Sequence, residues 1–235
     1  MSEIKNRCYY CGKPKTSMEH VPPKVFFPDK KYRLNNTDYR KNLITVPSCD
    51  EHNSAKSNLD ELLFTVITMS ASSNKYGQYL FSEKAVDKVV FRSHHIFNSI
   101  FNSTKSALIS RDQEKSSKPT LICNIDKNKL DDCFTHIAKG IYFYHFKQVY
   151  THSIEIHYQF QIFTSANTEK MNYELEEINR SINKMLSAIE KHGENPDIFY
   201  YKILEEKPET LLLQLSFYEF TKVDIFFNRT NKNDS

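Results

Sequence analysis

Two pairs of metal-binding residues with the same spacing constrain the fold of this chain more than any other feature. The first pair is Cys8 and Cys11 in CYYC, and the second, after 37 intervening residues, is Cys49 and His52 in CDEH. Zinc takes four ligands in a tetrahedron, and a gap of two residues lets both members of a pair reach one ion. The sequence therefore predicts a closed structural zinc site made of these four residues, which holds the fold and does not catalyse.

The predicted local structure suits such a site. Gly12 allows a tight knuckle after the first pair. Ser48 and Glu51 fit a capping box at the start of a helix. The second cysteine–histidine pair then occupies positions i and i+3 on one face of that helix. Both halves of the predicted site are thus compatible with a single ion.

The cysteine content excludes a disulfide scaffold. Five cysteines in 235 residues are too few for the dense framework of small secreted domains. Three of them lie in the first 49 residues, which favours metal binding, with free buried cysteines as the alternative. Cys123 and Cys133 lie on apolar segments and are predicted to be core residues.

The chain shows no signal for secretion or membrane insertion. Its first residues, MSEIKNRCYY, lack the apolar segment of a secretory signal. The longest apolar run, residues 62–69, is too short to span a bilayer and is interrupted by threonine. We therefore expect a soluble cytoplasmic protein with no membrane partner.

Charge gives weak guidance about partners. The formal net charge is +3, and residues 1–60 hold 11 Lys/Arg against 7 Asp/Glu, whereas the rest of the chain holds 21 against 22. The positive excess thus lies on the cysteine-bearing segment, where contacts to phosphate would be needed. An ordinary solvated surface explains this distribution equally well, so charge does not decide between the two.

Hydrophobic periodicity predicts an α+β fold. Helices are predicted over residues 50–73, 83–108, 126–146 and 168–192, and strands near 119–125, 153–163, 197–206, 210–219 and 222–227. The last helix rests on apolar residues at helical spacing, namely Met171, Leu175, Ile178, Ile182, Met185 and Ile189. Residues 111–119 are predicted to be a linker. We divide the chain into a metal-binding module, residues 1–65, and an α+β accessory region, residues 66–235.

The segment between the two cysteine-bearing pairs contains a candidate catalytic group. Glu19 and His20 precede two prolines, which predicts that they end a strand. Asn42 begins a second predicted strand, and Asn53 and Lys56 follow on the predicted helix. For Glu19 and His20 alone, a surface pair is the alternative. Lys56 has the alternative of an ordinary solvated lysine, and Asn42 that of a turn residue.

These residues carry a resemblance to a known family. CYYCG, EHVPP, NLITVPSC and HNSAK, in this order over residues 8–57, resemble the HNH endonuclease superfamily. The resemblance implies a ββα-metal module, which is a hairpin and a helix around one divalent ion, held by the structural zinc. The remaining chain is then a mixed helix and antiparallel-strand region. This second region carries no chemical signature of its own.

The resemblance also implies a role for each site residue. His20 is the general base that activates water. Glu19 and Asn53 hold a catalytic Mg²⁺ or Mn²⁺. Asn42 orients His20 from the loop between the strands, and Lys56 contacts a phosphate.

The hypothesis is an HNH-type endonuclease that hydrolyses phosphodiester bonds, with DNA as the expected substrate and phage defence as the expected setting. The alternatives are a non-catalytic zinc-stapled nucleic-acid-binding module and an RNA-cleaving toxin. We expect the accessory region to select substrate, bind a regulatory partner or form a homodimer. Four histidines of this region, His136, His145, His152 and His157, are predicted to be structural or exposed, and His94 and His95 are not expected to form a second metal site.

Overall fold

The computed structural model describes residues 6–34, 36–53, 57–85, 100, 102–109, 118–164, 168–207 and 210–228. Over these ranges the chain is a mixed α+β protein, as predicted. The strands are β1 (Ser17–His20), β2 (Thr45–Ser48), β3 (Lys105–Ile109), β4 (Lys118–Ile122), β5 (Ile154–Tyr158), β6 (His192–Asn195), β7 (Phe199–Lys207), β8 (Thr210–Phe217) and β9 (Thr221–Asn228). The helices are α1 (Asp50–Asn53), α2 (Ser57–Met69), α3 (Lys75–Leu80), α4 (Lys127–Phe146) and α5 (Glu169–Met185).

The amino-terminal part is a short hairpin followed by one helical turn. Strands β1 and β2 pair antiparallel, with Ser17 opposite Ser48 and His20 opposite Thr45. The N–H of Val21 still donates to the carbonyl of Ile44 at 3.0 Å, so the pairing extends just past His20. Helix α1 follows β2 directly, which places its side chains against the hairpin.

The carboxyl-terminal part is a five-stranded antiparallel sheet with the order β5-β9-β8-β7-β6. Side chains alternate between its two faces, as the pleat requires. One face meets α4, where Phe134 packs on Phe217 and Tyr142 on Phe227. The other face meets α5, where Leu212 contributes to a small separate apolar cluster.

One large hydrophobic core includes residues from both predicted regions. Phe26 packs against Phe217 with ring centroids 4.9 Å apart, and its carbonyl accepts a 2.9 Å hydrogen bond from the Tyr218 hydroxyl. Gly140 on α4 lies so close to Val21 that an added Cβ would come within 2.7 Å of its side chain. Helix α2 crosses residue 65 without a break. The division of the chain into a module of residues 1–65 and an accessory region of residues 66–235 stays a prediction.

Several predicted boundaries are wrong, and tertiary contacts explain them. The prediction of a helix over 83–108 is wrong for residues 105–108, which belong to β3 and pair with β4. Residues 86–99 of this prediction lie outside the described ranges. The helix predicted to reach residue 192 ends at Met185, and the carbonyl of the next residue, Leu186, accepts a hydrogen bond from the ammonium of Lys202 on β7. Of the predicted linker, residues 118 and 119 belong to β4, and residues 111–117 lie outside the described ranges.

In the part of the chain that the structure describes, no helix has both the length and the apolar character needed to cross a membrane.

Candidate metal centre and adjoining clefts

The structure brings the four predicted zinc ligands together. Their ligand atoms all lie within 4.8 Å of one another, and in the described ranges this is the one such group of His, Cys, Asp and Glu residues. Cys49 Sγ lies 3.1 Å from His52 Nδ1 and 3.8 Å from Cys11 Sγ, and Cys8 Sγ lies 4.0 Å from His52 Nδ1. A zinc tetrahedron has edges of roughly 3.5–3.8 Å, so this donor set fits a structural zinc ion.

Local backbone geometry presents the first two ligands. Gly12 has a φ of +74°, which other residues rarely adopt, and its N–H donates to the Cys8 carbonyl at 2.9 Å. The Tyr9 N–H donates to the Pro47 carbonyl at 2.8 Å. The knuckle is therefore fixed to the strand that leads into the second ligand pair.

The second pair lies at the start of α1, but the predicted capping box does not form. The helix begins at Asp50, so Cys49, and not Ser48, directly precedes it. Glu51 accepts a 2.7 Å hydrogen bond from Lys13 on the knuckle. Because Thr16 also binds Asp50, at 2.6 Å, the acidic groups of this turn connect the two halves of the site.

Burial and hydrogen bonding shift the pKa values of Cys8 and Cys11 in opposite directions. Burial and the neighbouring thiols of Cys8 and Cys49 raise the pKa of Cys11 to about 11. Burial also raises the pKa of Cys8, but backbone hydrogen bonds more than offset it, so this pKa is lowered. A divalent ion removes the repulsion between thiolates, which is why metal binding to such a group releases protons.

Two tyrosines connect the zinc cluster to α4. The Tyr10 ring stacks on His52, with centroids 4.4 Å apart, and on His136 of α4, with centroids 4.2 Å apart. The fully buried Tyr9 places its hydroxyl 2.9 Å from His136 Nδ1. Burial raises the pKa of Tyr9 well above its usual value, and the charge and hydrogen bond of Glu19 raise it further. The zinc cluster, Glu19 and His136 thus meet at Tyr9 and Tyr10.

Sequence analysis did not identify His136 as part of a site. The available signal was a histidine on the buried face of a helix, beside Cys133, Ile137 and Gly140. Such a residue is more often structural, and its partner Tyr9 is 127 positions away. Only the fold brings them together.

A small cleft lies beside this junction. Its lining includes two carboxylates, Glu19 and Asp60 on α2, and two imidazoles, His20 and His136. Glu19 is buried and His20 is half-buried. Burial lowers the pKa of His20, and the positive charges of Lys24 and Arg40 lower it further. The imidazole of His20 is therefore neutral at pH 7 and able to accept a proton.

Asn53 lies on the same side of the hairpin as Glu19. Its amide donates a 2.8 Å hydrogen bond to the hydroxyl of Ser17. Ser17 and Glu19 are two residues apart on β1, so they share a face of that strand. Helix α1 thus presents Asn53 beside Ser17, two residues along β1 from the buried carboxylate. Lys56, predicted to contact phosphate, lies outside the described residues.

Asn42 lies in a turn and not at the start of a strand, because β2 begins at Thr45. Its φ of +56° is in the left-handed region, which asparagine tolerates well. It lines a second, larger cleft of about 510 Å³ together with Val21 and Pro22. On the opposite wall are His145 and His192, both in contact with Tyr201. The two clefts thus flank the strand end that carries His20.

Comparison with protein-family models, curated proteins and solved structures finds no match. A functional assignment therefore depends on the geometry of the cluster and the two clefts. The α+β fold and a Cys₃His cluster suited to zinc are observed. The resemblance of residues 8–57 to HNH endonucleases supports a proposal about function and does not by itself show the family.

Proposed function

We propose that this chain is a zinc-stabilised, metal-dependent nuclease of the HNH type, with β1, β2 and α1 as its ββα unit. One observation supports this most directly. Helix α1 contacts β1, the strand that ends at Glu19 and His20, through the hydrogen bond of Asn53 to Ser17, and the Cys₃His cluster lies at the start of α1. A carboxylate, a neutral imidazole and an asparagine thus belong to one small hairpin–helix unit that a structural site supports.

In this proposal His20 accepts the proton of the attacking water. A half-buried imidazole with a lowered pKa suits that role, because it is unprotonated at pH 7. Glu19 and Asn53 supply oxygen ligands, which suit Mg²⁺ or Mn²⁺. When bound, such an ion stabilises the negative charge that develops on the phosphate and the leaving oxygen.

The surrounding residues orient these groups. Tyr9 fixes the carboxylate of Glu19 by hydrogen bonding. Asn42 lies beside Val21 and Pro22, at the far side of the strand end, and shapes the loop next to His20. Lys56 contacts a substrate phosphate. DNA is the expected substrate, and a cytoplasmic role in phage defence stays a prediction.

The first test is metal dependence of plasmid cleavage. We expect the purified zinc-loaded protein to nick supercoiled DNA with Mg²⁺ or Mn²⁺, and to be inactive when the ion is omitted while zinc stays bound. A labelled RNA is assayed in parallel, since an RNA-cleaving enzyme would use the same residues. Nucleic-acid binding without cleavage of either substrate would favour the non-catalytic binding module and contradict the proposal.

Tyr9 offers a second test through its hydroxyl. We expect Tyr9→Phe to raise the Mn²⁺ concentration for half-maximal cleavage roughly 10–100-fold, because residues that orient a metal ligand contribute about this much. The matched control is Tyr10→Phe, which keeps the stacking on His52 and His136. Mn²⁺ binding, followed by electron paramagnetic resonance, should weaken in parallel. Equal metal requirements for the two variants would exclude the positioning role of Tyr9.

A further inference from the structure

The larger cleft, of about 510 Å³, begins where the strand that carries His20 ends. Val21 lines both this cleft and the small cleft that His20 lines, and Pro22 continues the same wall. Cavities that hold a small organic group generally measure about 300–1,000 Å³. A molecule bound at His20 can therefore extend over Val21 into a cavity with room for a further organic group.

The wall opposite Val21 is a group of aromatic and imidazole rings. The Tyr201 hydroxyl lies 2.8 Å from Nε2 of His145 on α4, and His192 on β6 stacks on the Tyr201 ring with centroids 5.3 Å apart. His145 and His192 also meet edge to face, with centroids 5.2 Å apart. The exposed ring of Tyr144 lines the cleft beside them. Rings of these types bind nucleobases by stacking.

Hydrogen bonds hold the two walls of the cleft in place. The side-chain amide of Asn195 on β6 donates to the carbonyl of Tyr39 in the amino-terminal part at 3.2 Å. Arg40 donates to the carbonyl of Phe27 at 2.9 Å, and Phe27 itself lines the cleft. The cleft is therefore formed before a ligand binds, which lowers the entropy cost of binding.

The electrostatic field in the cleft favours an anion. Burial lowers the pKa of His145, and the neighbouring His192 and Lys147 lower it further. Burial and two positive charges lower the pKa of His20 in the same way. Among the described residues that line the cleft, the one carboxylate is that of Glu194, which is exposed to solvent. The positive charge around both histidines attracts phosphate groups.

We propose that this cleft binds one unpaired nucleotide of the substrate strand, next to the phosphate that lies at His20. The base packs on the rings of Tyr144 and His192, and the sugar–phosphate backbone crosses Val21 between the two clefts. This inference rests on the proposed nuclease function, because the position of the cleft beside His20 identifies its occupant as part of the substrate.

The nucleotide has to be unpaired for its base to reach these rings. In a duplex, neighbouring base pairs cover both faces of each base. Enzymes that place a base in a pocket therefore act on single strands or turn the base out of the helix. Stacking on rings tolerates every base, so we expect the cleft to favour single strands without selecting a sequence.

The test is equilibrium binding of a labelled single-stranded DNA of about 12 nucleotides, within the usual site size for such contacts. Full-length, zinc-loaded protein is titrated without Mg²⁺ or Mn²⁺, so that binding is measured and cleavage is not. We expect His192→Ala to raise the dissociation constant roughly 5–100-fold, the contribution of one stacked base. His192→Phe should bind nearly as tightly as the wild type, because it keeps a ring on Tyr201. His152→Ala, which precedes β5 at the opposite edge of the sheet, is the matched control and should bind like the wild type.

The outcomes separate this subsite from the nuclease mechanism. An unchanged dissociation constant for the single strand in His192→Ala would overturn the subsite, even if the wild-type protein nicks plasmid. Tight single-strand binding that depends on His192, in a protein that cleaves neither DNA nor RNA, would support the subsite and contradict only the nuclease mechanism. A duplex of the same sequence should bind less tightly than the single strand, and an equal loss for both in His192→Ala would overturn the unpaired nucleotide. Displacement of the strand by micromolar thymidine monophosphate would assign the cleft to a free nucleotide and overturn the proposal.

Photochemical crosslinking locates the base without any variant. A single strand that carries iodouracil should attach on irradiation to Tyr144 or His192, and mass spectrometry of the peptides identifies the residue. Crosslinks only to peptides outside α4 and β6 would overturn the proposed position of the base.

Discussion

Replacement of His20 by alanine is expected to lower the rate of plasmid cleavage roughly 10²–10⁴-fold, the usual contribution of a general base. His20 ends β1 and lines the small cleft beside Glu19. Its lowered pKa keeps it neutral at pH 7, so the alanine variant loses the group that accepts the proton of water. The measurement is the initial rate of nicking at saturating Mn²⁺.

The variant should keep its fold, because His20 belongs neither to the zinc cluster nor to the buried core. Zinc content and thermal unfolding therefore serve as internal controls. His152→Ala, at an exposed position between α4 and β5, is the matched histidine control and should cleave at the wild-type rate. Wild-type cleavage by a correctly folded His20→Ala variant would refute the proposed mechanism.

The sequence predicted those features that depend on neighbouring residues. The two pairs of zinc ligands are separated by two residues each, so the knuckle and the first turn of α1 already orient them. Four of the five strands of the sheet, β5, β7, β8 and β9, were predicted to within about five residues, because alternation along β8 and β9 directly reflects its two packed faces. Strand β6 was not predicted, since its first residue was assigned to the preceding helix. Helix α4 was predicted to within one residue for the same kind of reason.

The features that failed depend on distant parts of the chain. Glu51 binds Lys13, 38 positions away, and this contact takes the place of the predicted capping interaction. His136 meets Tyr9 only through the packing of α4 on the hairpin. The helical spacing of apolar residues on α5 was visible in the sequence, but periodicity cannot tell which of them the chain itself covers: Ile182 is buried, whereas Met171 and Ile178 are exposed.

Loss of the zinc ion is expected to unfold the amino-terminal unit while the five-stranded sheet persists. Strands of four residues and a single helical turn are marginal on their own, since isolated hairpins and short helices are barely stable in water. A structural zinc site contributes roughly 10–16 kcal/mol of binding free energy at neutral pH, which exceeds what so small a hairpin supplies. We therefore expect the ion to contribute a large part of the stability of this unit, beside its contacts with the hydrophobic core.

The prediction is tested with Cys49→Ser, which replaces a buried ligand thiol by a hydroxyl of similar size. Bound zinc should fall from one per chain to near zero. Amide hydrogen exchange should become fast over residues 8–53, while β7, β8 and β9 stay protected, since those strands have their own neighbours in the sheet. Cys123→Ser is the matched control, because Cys123 is a partly buried thiol outside the cluster.

The outcome for the Cys49→Ser variant tells whether the zinc ion or the hydrophobic core holds the hairpin in place. If exchange rises only in residues 8–53, the zinc ion holds α1 and the strand end of Glu19 and His20 in place, and cleavage should be lost together with the protection. Unchanged protection of β1 and β2 in the zinc-free variant would show that the hydrophobic core alone supports the hairpin. That core contact is substantial, since Phe26 and Val21 pack directly on the larger part of the chain.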